Sequence, residues 1–190
     1  MVIPGFIASD RTTMELRRAL AEAGFRVHPW RQGLNLGARA DTLDRLSKAV
    51  DLCGAKEPIL LVGWSLGGLY AREIARKEPE RVRAVVTLGT PVSGDLRKMT
   101  NVWRLYEMVA GHKVGDPPIS NIEAKPPVPT LAIWSRKDGI VAAHSARGTE
   151  ESRDKHVEAG SGHMALAVSP RSARQAVREI LAFLEEVEGG

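Results

Sequence analysis

Ile59-Leu60-Leu61-Val62-Gly63-Trp64-Ser65-Leu66-Gly67-Gly68-Leu69-Tyr70 is the stretch that decides the fold. After Pro58, Ile59 to Val62 form a continuous apolar run, as a strand buried on both faces requires. Leu69, Tyr70 and Ile74 continue as a helix, which Pro79 closes. Between strand and helix sits a serine flanked by Gly63 and Gly67. A sharp strand-to-helix turn holds a serine hydroxyl out from the backbone, and it needs small residues on both sides because neighbouring chain comes close. Gly68 adds clearance. The helix that starts there offers free N–H groups and the positive end of its dipole, so Leu66 N–H is the obvious donor to a developing oxyanion. Ser65 is the candidate nucleophile.

Working outward, short β-branched runs alternate with longer helical ones, which predicts an α/β fold with a mostly parallel sheet covered by helices. Val2-Ile3 reads as a strand end before the Pro4-Gly5 turn. A helix follows, with Leu16, Ala19, Leu20 and Ala23 on one face and Gly24 as its terminator. Phe25 to His28 reads as a second short strand, and Leu43, Leu46 and Val50 line the next helix. Val82 to Leu88 is another buried strand, ending at Gly89-Thr90-Pro91. Val128 to Trp134 and the region of Lys155 to Val157 complete the strands. The last helix has Ser169 as N-cap and Pro170 at its first position. From Val92 to Pro127 the pattern loosens around one amphipathic segment, Val102 to Val109, which suggests a short lid or cover over a cleft. The whole, residues 1–190, reads as one domain in three α/β/α layers with about six strands.

A serine hydroxyl needs a base to take its proton and an acid to orient that base. In this architecture they follow the serine in the order acid, then histidine. His163, in Gly160-Ser161-Gly162-His163-Met164, lies in a glycine-rich loop before the last helix, where an imidazole can reach a cleft. His28 and His156 are on or beside strands, and His112 and His144 lie in polar loops. Asp138 follows the strand ending at Trp134-Ser135 and opens a turn with Gly139, at the same edge of the sheet as Ser65. Asp116 and Asp154 are less well situated. A second oxyanion donor is expected after the first strand, where Gly5 lets the chain turn and Phe6 N–H can point at the cleft.

Composition excludes several classes. A chain of 190 residues with 43% hydrophobic and 26% charged content is ordinary for a soluble protein. No apolar run is long enough to cross a bilayer, so no integral membrane association is expected. No basic region or cleavage site precedes Met1-Val2-Ile3-Pro4, and a cytoplasmic location is the default. The net charge of +4 is spread over helix faces among acidic residues, as in Arg72-Glu73 and Glu80-Arg81. That is a solvated surface, and no nucleic-acid partner is expected. The single cysteine, Cys53, rules out an internal disulfide and a cysteine-based metal cluster and reads as a buried apolar residue.

With these motifs in order, the chain resembles the α/β-hydrolase superfamily, in particular its small bacterial esterases and lipases. The resemblance rests on Val2-Ile3-Pro4-Gly5-Phe6, Val62 to Gly68, Ser135-Arg136-Lys137-Asp138-Gly139-Ile140-Val141 and Gly160 to Leu166. It implies a triad of Ser65, Asp138 and His163, an oxyanion hole from Phe6 and Leu66, an acyl-enzyme, an ester substrate and no cofactor or metal. The superfamily's usual first two strands have no room before Met1. A minimal domain with an uncovered sheet edge is therefore expected, and that edge is a candidate homo-oligomer contact. Trp30, Trp103, Tyr106 and Met164 are candidates to line an apolar acyl or alcohol pocket. A thioesterase, amidase or acyltransferase would use the same triad, and a non-catalytic binding protein of this fold would lack part of it.

Overall fold

The computed structural model describes residues 1–54, 56–95, 98, 100–101, 103–110 and 123–189. Among them five parallel strands pair side by side in chain order: β1 (Val2–Ile3), β2 (Ile59–Trp64), β3 (Val82–Leu88), β4 (Thr130–Trp134) and β5 (Lys155–Glu158). The helices are α1 (Met14–Glu22), α2 (Thr42–Asp51), α3 (Leu66–Lys77), α4 (Trp103–Ala110), α5 (Ala143–Arg147), α6 (His163–Val168) and α7 (Pro170–Gly189).

The pleat sorts the strand residues into two cores. Val62, Trp64, Val86, Leu88, Leu131 and Ile133 pack against α1 and α7. On the other face, Ile3, Leu61 and Val85 pack against α2 and α3. Successive residues such as Leu61 and Val62 thus serve opposite layers, which is why β2 carries no polar residue on either face. Each such side chain, fully buried, contributes about 1.5–3 kcal/mol relative to exposure. The result is the expected three-layer α/β/α arrangement.

The sheet of the described residues has five strands where about six were expected, and the strand expected at Phe25 to His28 is the one that does not form. Phe25 to His28 has no regular ladder and meets β1 where Val2 N–H donates to the His28 C=O at 3.0 Å. The reason is the length of β1. Met1 C=O accepts from Val62 N–H on the inner side, so the alternation of a two-residue strand leaves the Val2 peptide groups for an outer neighbour. Beside this segment, at the amino ends of β1 and β2, lies a depression of ≈ 520 Å³ lined by residues including Val2, Leu20, Phe25, Leu60 and Arg83. It is at the opposite end of β2 from Ser65. No helix among the described residues is long and apolar enough to cross a membrane. Cys53 is buried, and burial pushes its thiol pKa up.

Candidate active site

Ser65 stands between β2 and α3 with φ 53° and ψ −123°, a conformation that L-residues rarely adopt. The strain is held by neighbours on every side. Ser65 N–H donates to the Leu88 C=O at 2.8 Å, and the Ser65 C=O accepts from Gly68 N–H at 3.0 Å and Thr90 Oγ1 at 2.8 Å. A side chain at Gly63 would run into the backbone of Gly67 and Gly68, and one at Gly67 into that of Ile3 and Pro4. A serine in the N-cap position ordinarily turns its hydroxyl onto the first turn of its helix. Ser65 makes no such bond. Its hydroxyl is left for another purpose.

Asp138 and His163 form a buried pair. Asp138 Oδ2 lies 2.8 Å from His163 Nδ1, and both residues are 5% exposed. Asp138 Oδ1 accepts from Ile140 N–H at 3.0 Å and from Val141 N–H at 2.6 Å, which holds the carboxylate in a turn of its own making. His163 is fixed further by its backbone N–H, which donates to the Asp138 C=O at 3.0 Å. Its C=O accepts from Trp64 Nε1 at 3.1 Å, and the two rings lie 5.3 Å apart. With Nδ1 facing a carboxylate, Nε2 is the nitrogen free to act as a base. Among the described residues no hydrogen bond joins Ser65 to His163. Trp64 and the Leu88-Gly89 turn bring them to the same carboxyl edge of the sheet, and bonds of this kind are often loose before substrate binds.

The loop after β1 also reaches this edge. A Cβ at Gly5 would lie 3.0 Å from Ser65 Cβ and 3.0 Å from the Trp64 ring, so the Gly5-Phe6 backbone passes directly beside the serine. Buried Asn35 braces the loop: its Nδ2 donates to the Pro4 C=O at 2.8 Å, and its C=O accepts from Ile7 N–H at 2.8 Å. Leu66 N–H opens α3, where the first-turn amides have no acceptor within the helix.

The four aromatic and methionine candidates fare differently. Trp30 is buried in the core against α3, its ring stacked on Tyr70 with centroids 6.4 Å apart and its indole N–H donating to the Gly33 C=O. In this position it packs the core cluster on the α2 and α3 side of the sheet. Trp103 is half-buried on α4, and Met164 is half-exposed directly after His163. The side chain of Tyr106 and residues 111–122 of the expected cover lie outside the described residues.

Sequence reasoning passed over several residues that shape the site. Gly89, with φ +55°, lies against the acid–base pair: a Cβ there would be 2.9 Å from Asp138 Oδ2 and 3.1 Å from His163 Nδ1. Thr90 holds the Ser65 carbonyl. Arg72, fully buried on α3, donates to the Ser152 C=O at 2.8 Å and the Ala124 C=O at 3.0 Å. Burial lowers its pKa to about 10, so it stays cationic at neutral pH. The expectation that Arg72-Glu73 lies on a solvated face is corrected here: both residues are buried on α3, Arg72 completely, because backbone carbonyls of the neighbouring loops take up its guanidinium.

Comparison with known proteins speaks for the fold. A family model described as alpha/beta hydrolase fold matches residues 28–110. Pimeloyl-[acyl-carrier protein] methyl ester esterase of Cronobacter sakazakii is 43% identical over 58 residues, 30% of this chain and 22% of the relative's length. The same esterase of Citrobacter koseri is 41% identical over 58 residues, also 22% of its length. Among solved structures, an alpha/beta hydrolase enzyme from the metagenome of lagoon sediments at Mar Chica, Morocco, superposes with a TM-score of 0.67 at 19% identity, covering 95% of this chain and 89% of that one. Polyneuridine aldehyde esterase gives a TM-score of 0.65 at 14% identity, covering 95% and 97%. At such identities the likeness speaks for the fold.

Proposed function

We propose that this chain, which has the α/β-hydrolase fold, is a serine hydrolase that cleaves carboxylic esters through an acyl-enzyme. The observation that carries this reading is the buried Asp138–His163 pair at the same sheet edge as a strained serine whose hydroxyl caps nothing. Ser65 Oγ attacks the ester carbonyl carbon while His163 Nε2 takes its proton. Asp138 keeps the imidazole in the tautomer with Nδ1–H and offsets the positive charge that forms. Leu66 N–H and Phe6 N–H are the donors to the oxyanion. When the tetrahedral adduct collapses, His163 returns the proton to the departing alcohol. Water then attacks the acyl carbonyl carbon with His163 again as base; the second adduct expels Ser65 Oγ, which takes the proton back from His163, and the acid leaves.

An ester is favoured over an amide or thioester by the relatives, which are methyl ester esterases by name. The match spans 22% of their length, so neither the pimeloyl group nor the carrier protein is carried over to this chain. Met164, half-exposed directly after His163, favours an apolar group in the substrate.

A fluorophosphonate probe tests the reading directly. The intact protein should be labelled at Ser65, and Ser65→Ala should abolish both labelling and hydrolysis of p-nitrophenyl esters. A folded protein that ignores the probe would overturn the proposal. A panel of esters, thioesters and amides of increasing acyl length then selects the reaction type.

A further inference from the structure

We propose that Asn101 is a positioning residue for the acid of this site, an inference that rests on the triad reading and extends it to the segment before α4. Two peptide units of the turn after Asp138 are each gripped from both ends. In the unit joining Gly139 to Ile140, the N–H donates to Asp138 Oδ1 at 3.0 Å and the C=O accepts from Asn101 Nδ2 at 2.9 Å. In the next unit, Val141 N–H donates to Asp138 Oδ1 at 2.6 Å and the Ile140 C=O accepts from Asn101 N–H at 3.0 Å. One residue thus aims both amides that hold the carboxylate. Thr100 adds an antiparallel bridge to Val141. Hydrogen bonds in series polarise one another, so a bond to each C=O also strengthens the N–H at its other end.

The consequence is directional. Oδ1 is occupied by the turn, which presents Oδ2 to His163 Nδ1 at 2.8 Å. If the turn rotates, Oδ2 moves with it. Asn101 touches neither Asp138 nor His163 in these contacts; it acts through the turn.

The test compares Asn101→Asp, which turns the side-chain donor into an acceptor facing the Gly139 C=O, with Asn101→Gln, which keeps an amide. In p-nitrophenyl butyrate hydrolysis, Asn101→Asp should lower kcat by about threefold to tenfold, the ordinary worth of one hydrogen bond, with KM unchanged. The low-field proton resonance of His163 Nδ1–H should move in the same variant, and Asn101→Gln should recover most of the loss. If Asn101→Asp does not fold, Asn101→Ala carries the same readings. Unchanged kcat and an unmoved resonance, or only earlier melting, overturn the inference. Asp138→Asn is measured alongside. If it keeps full activity, the triad reading fails instead, so the two failures are told apart.

Discussion

Asp138 holds His163 at two points: Oδ2 lies 2.8 Å from Nδ1, and its C=O accepts the His163 N–H at 3.0 Å. The backbone bond positions the start of α6, and the side-chain contact sets the ring and its tautomer. The two tasks can be separated by mutation, because an asparagine keeps the backbone bond and loses the charge.

Asp138→Asn should therefore fold and yet lose about 10³–10⁴-fold in kcat, as the orienting acid of a triad does. Asp154→Asn is the matched control. Its carboxylate accepts from Thr130 N–H at 2.8 Å and pairs with Lys125 Nζ at 2.7 Å, contacts that serve the start of β4. That variant should melt lower by roughly 2–4 °C for about 1 kcal/mol lost, with hydrolysis unchanged. Equal activity losses in the two variants would remove Asp138 from its role.

The Ser65 backbone gives a prediction of the opposite sign. At φ 53° and ψ −123° a Cβ is strained and glycine is not. Ser65→Gly should abolish ester hydrolysis while raising stability by roughly 1 kcal/mol, which is roughly 2–4 °C in Tm for a chain of this size. Ser65→Ala keeps its Cβ and should abolish activity without that gain. Thermal unfolding of the pair checks it; identical melting points would mean that the turn stores no strain.

How much of this was legible in the residues depends on whether the signal is local. Ile59 to Val62 and the glycines around Ser65 announce strand, turn and helix because the constraint on each comes from its immediate neighbours. Asp138 and His163 were within reach because each sits after a strand at one edge of the sheet. Phe25 to His28 had a strand's composition, but a ladder depends on its partner, and β1 is two residues long. Trp30 is a pocket candidate by residue type alone, and its stacking on Tyr70, distant in sequence, leaves no local trace. Gly89 and Asn101 were passed over because a positive φ and a contact 38 residues away leave no periodic trace.

Arg72 ties α3 to the foot of the cover segment and to the loop before β5. Arg72→Met fills much of the same volume but leaves the Ser152 and Ala124 carbonyls without that donor. Each buried carbonyl so deprived costs about 1–3 kcal/mol. Arg76 Nη1, which also donates to the Ala124 C=O at 2.6 Å, offsets part of the loss there. Denaturant unfolding should show a clear drop in midpoint with the slope unchanged. A midpoint equal to that of the parent protein would mean that the clamp contributes nothing.

Gly89 offers the sharpest separation of backbone strain from contact with the site. Its φ of +55° means that alanine there costs about 1–2 kcal/mol whatever surrounds it. Gly54 has nearly the same backbone, φ +59°, and a Cβ there would meet nothing within 4 Å. The two glycines differ in their neighbours: a Cβ at Gly89 would sit 2.9 Å from Asp138 Oδ2, 3.1 Å from His163 Nδ1 and 3.1 Å from Leu166 Cδ1. The first two of those atoms belong to a pair held by its own turn and by Trp64, so a methyl group there presses on the acid and the base together. Gly54→Ala should lower Tm and leave ester hydrolysis intact. Gly89→Ala should lower Tm at least as far and also reduce kcat by about tenfold or more, since a misplacement of a few tenths of an ångström to 1 Å is costly at reacting groups. Full activity in Gly89→Ala beside an equally destabilised Gly54→Ala would show that the pair tolerates the intrusion, and that Gly89 is there for the turn alone.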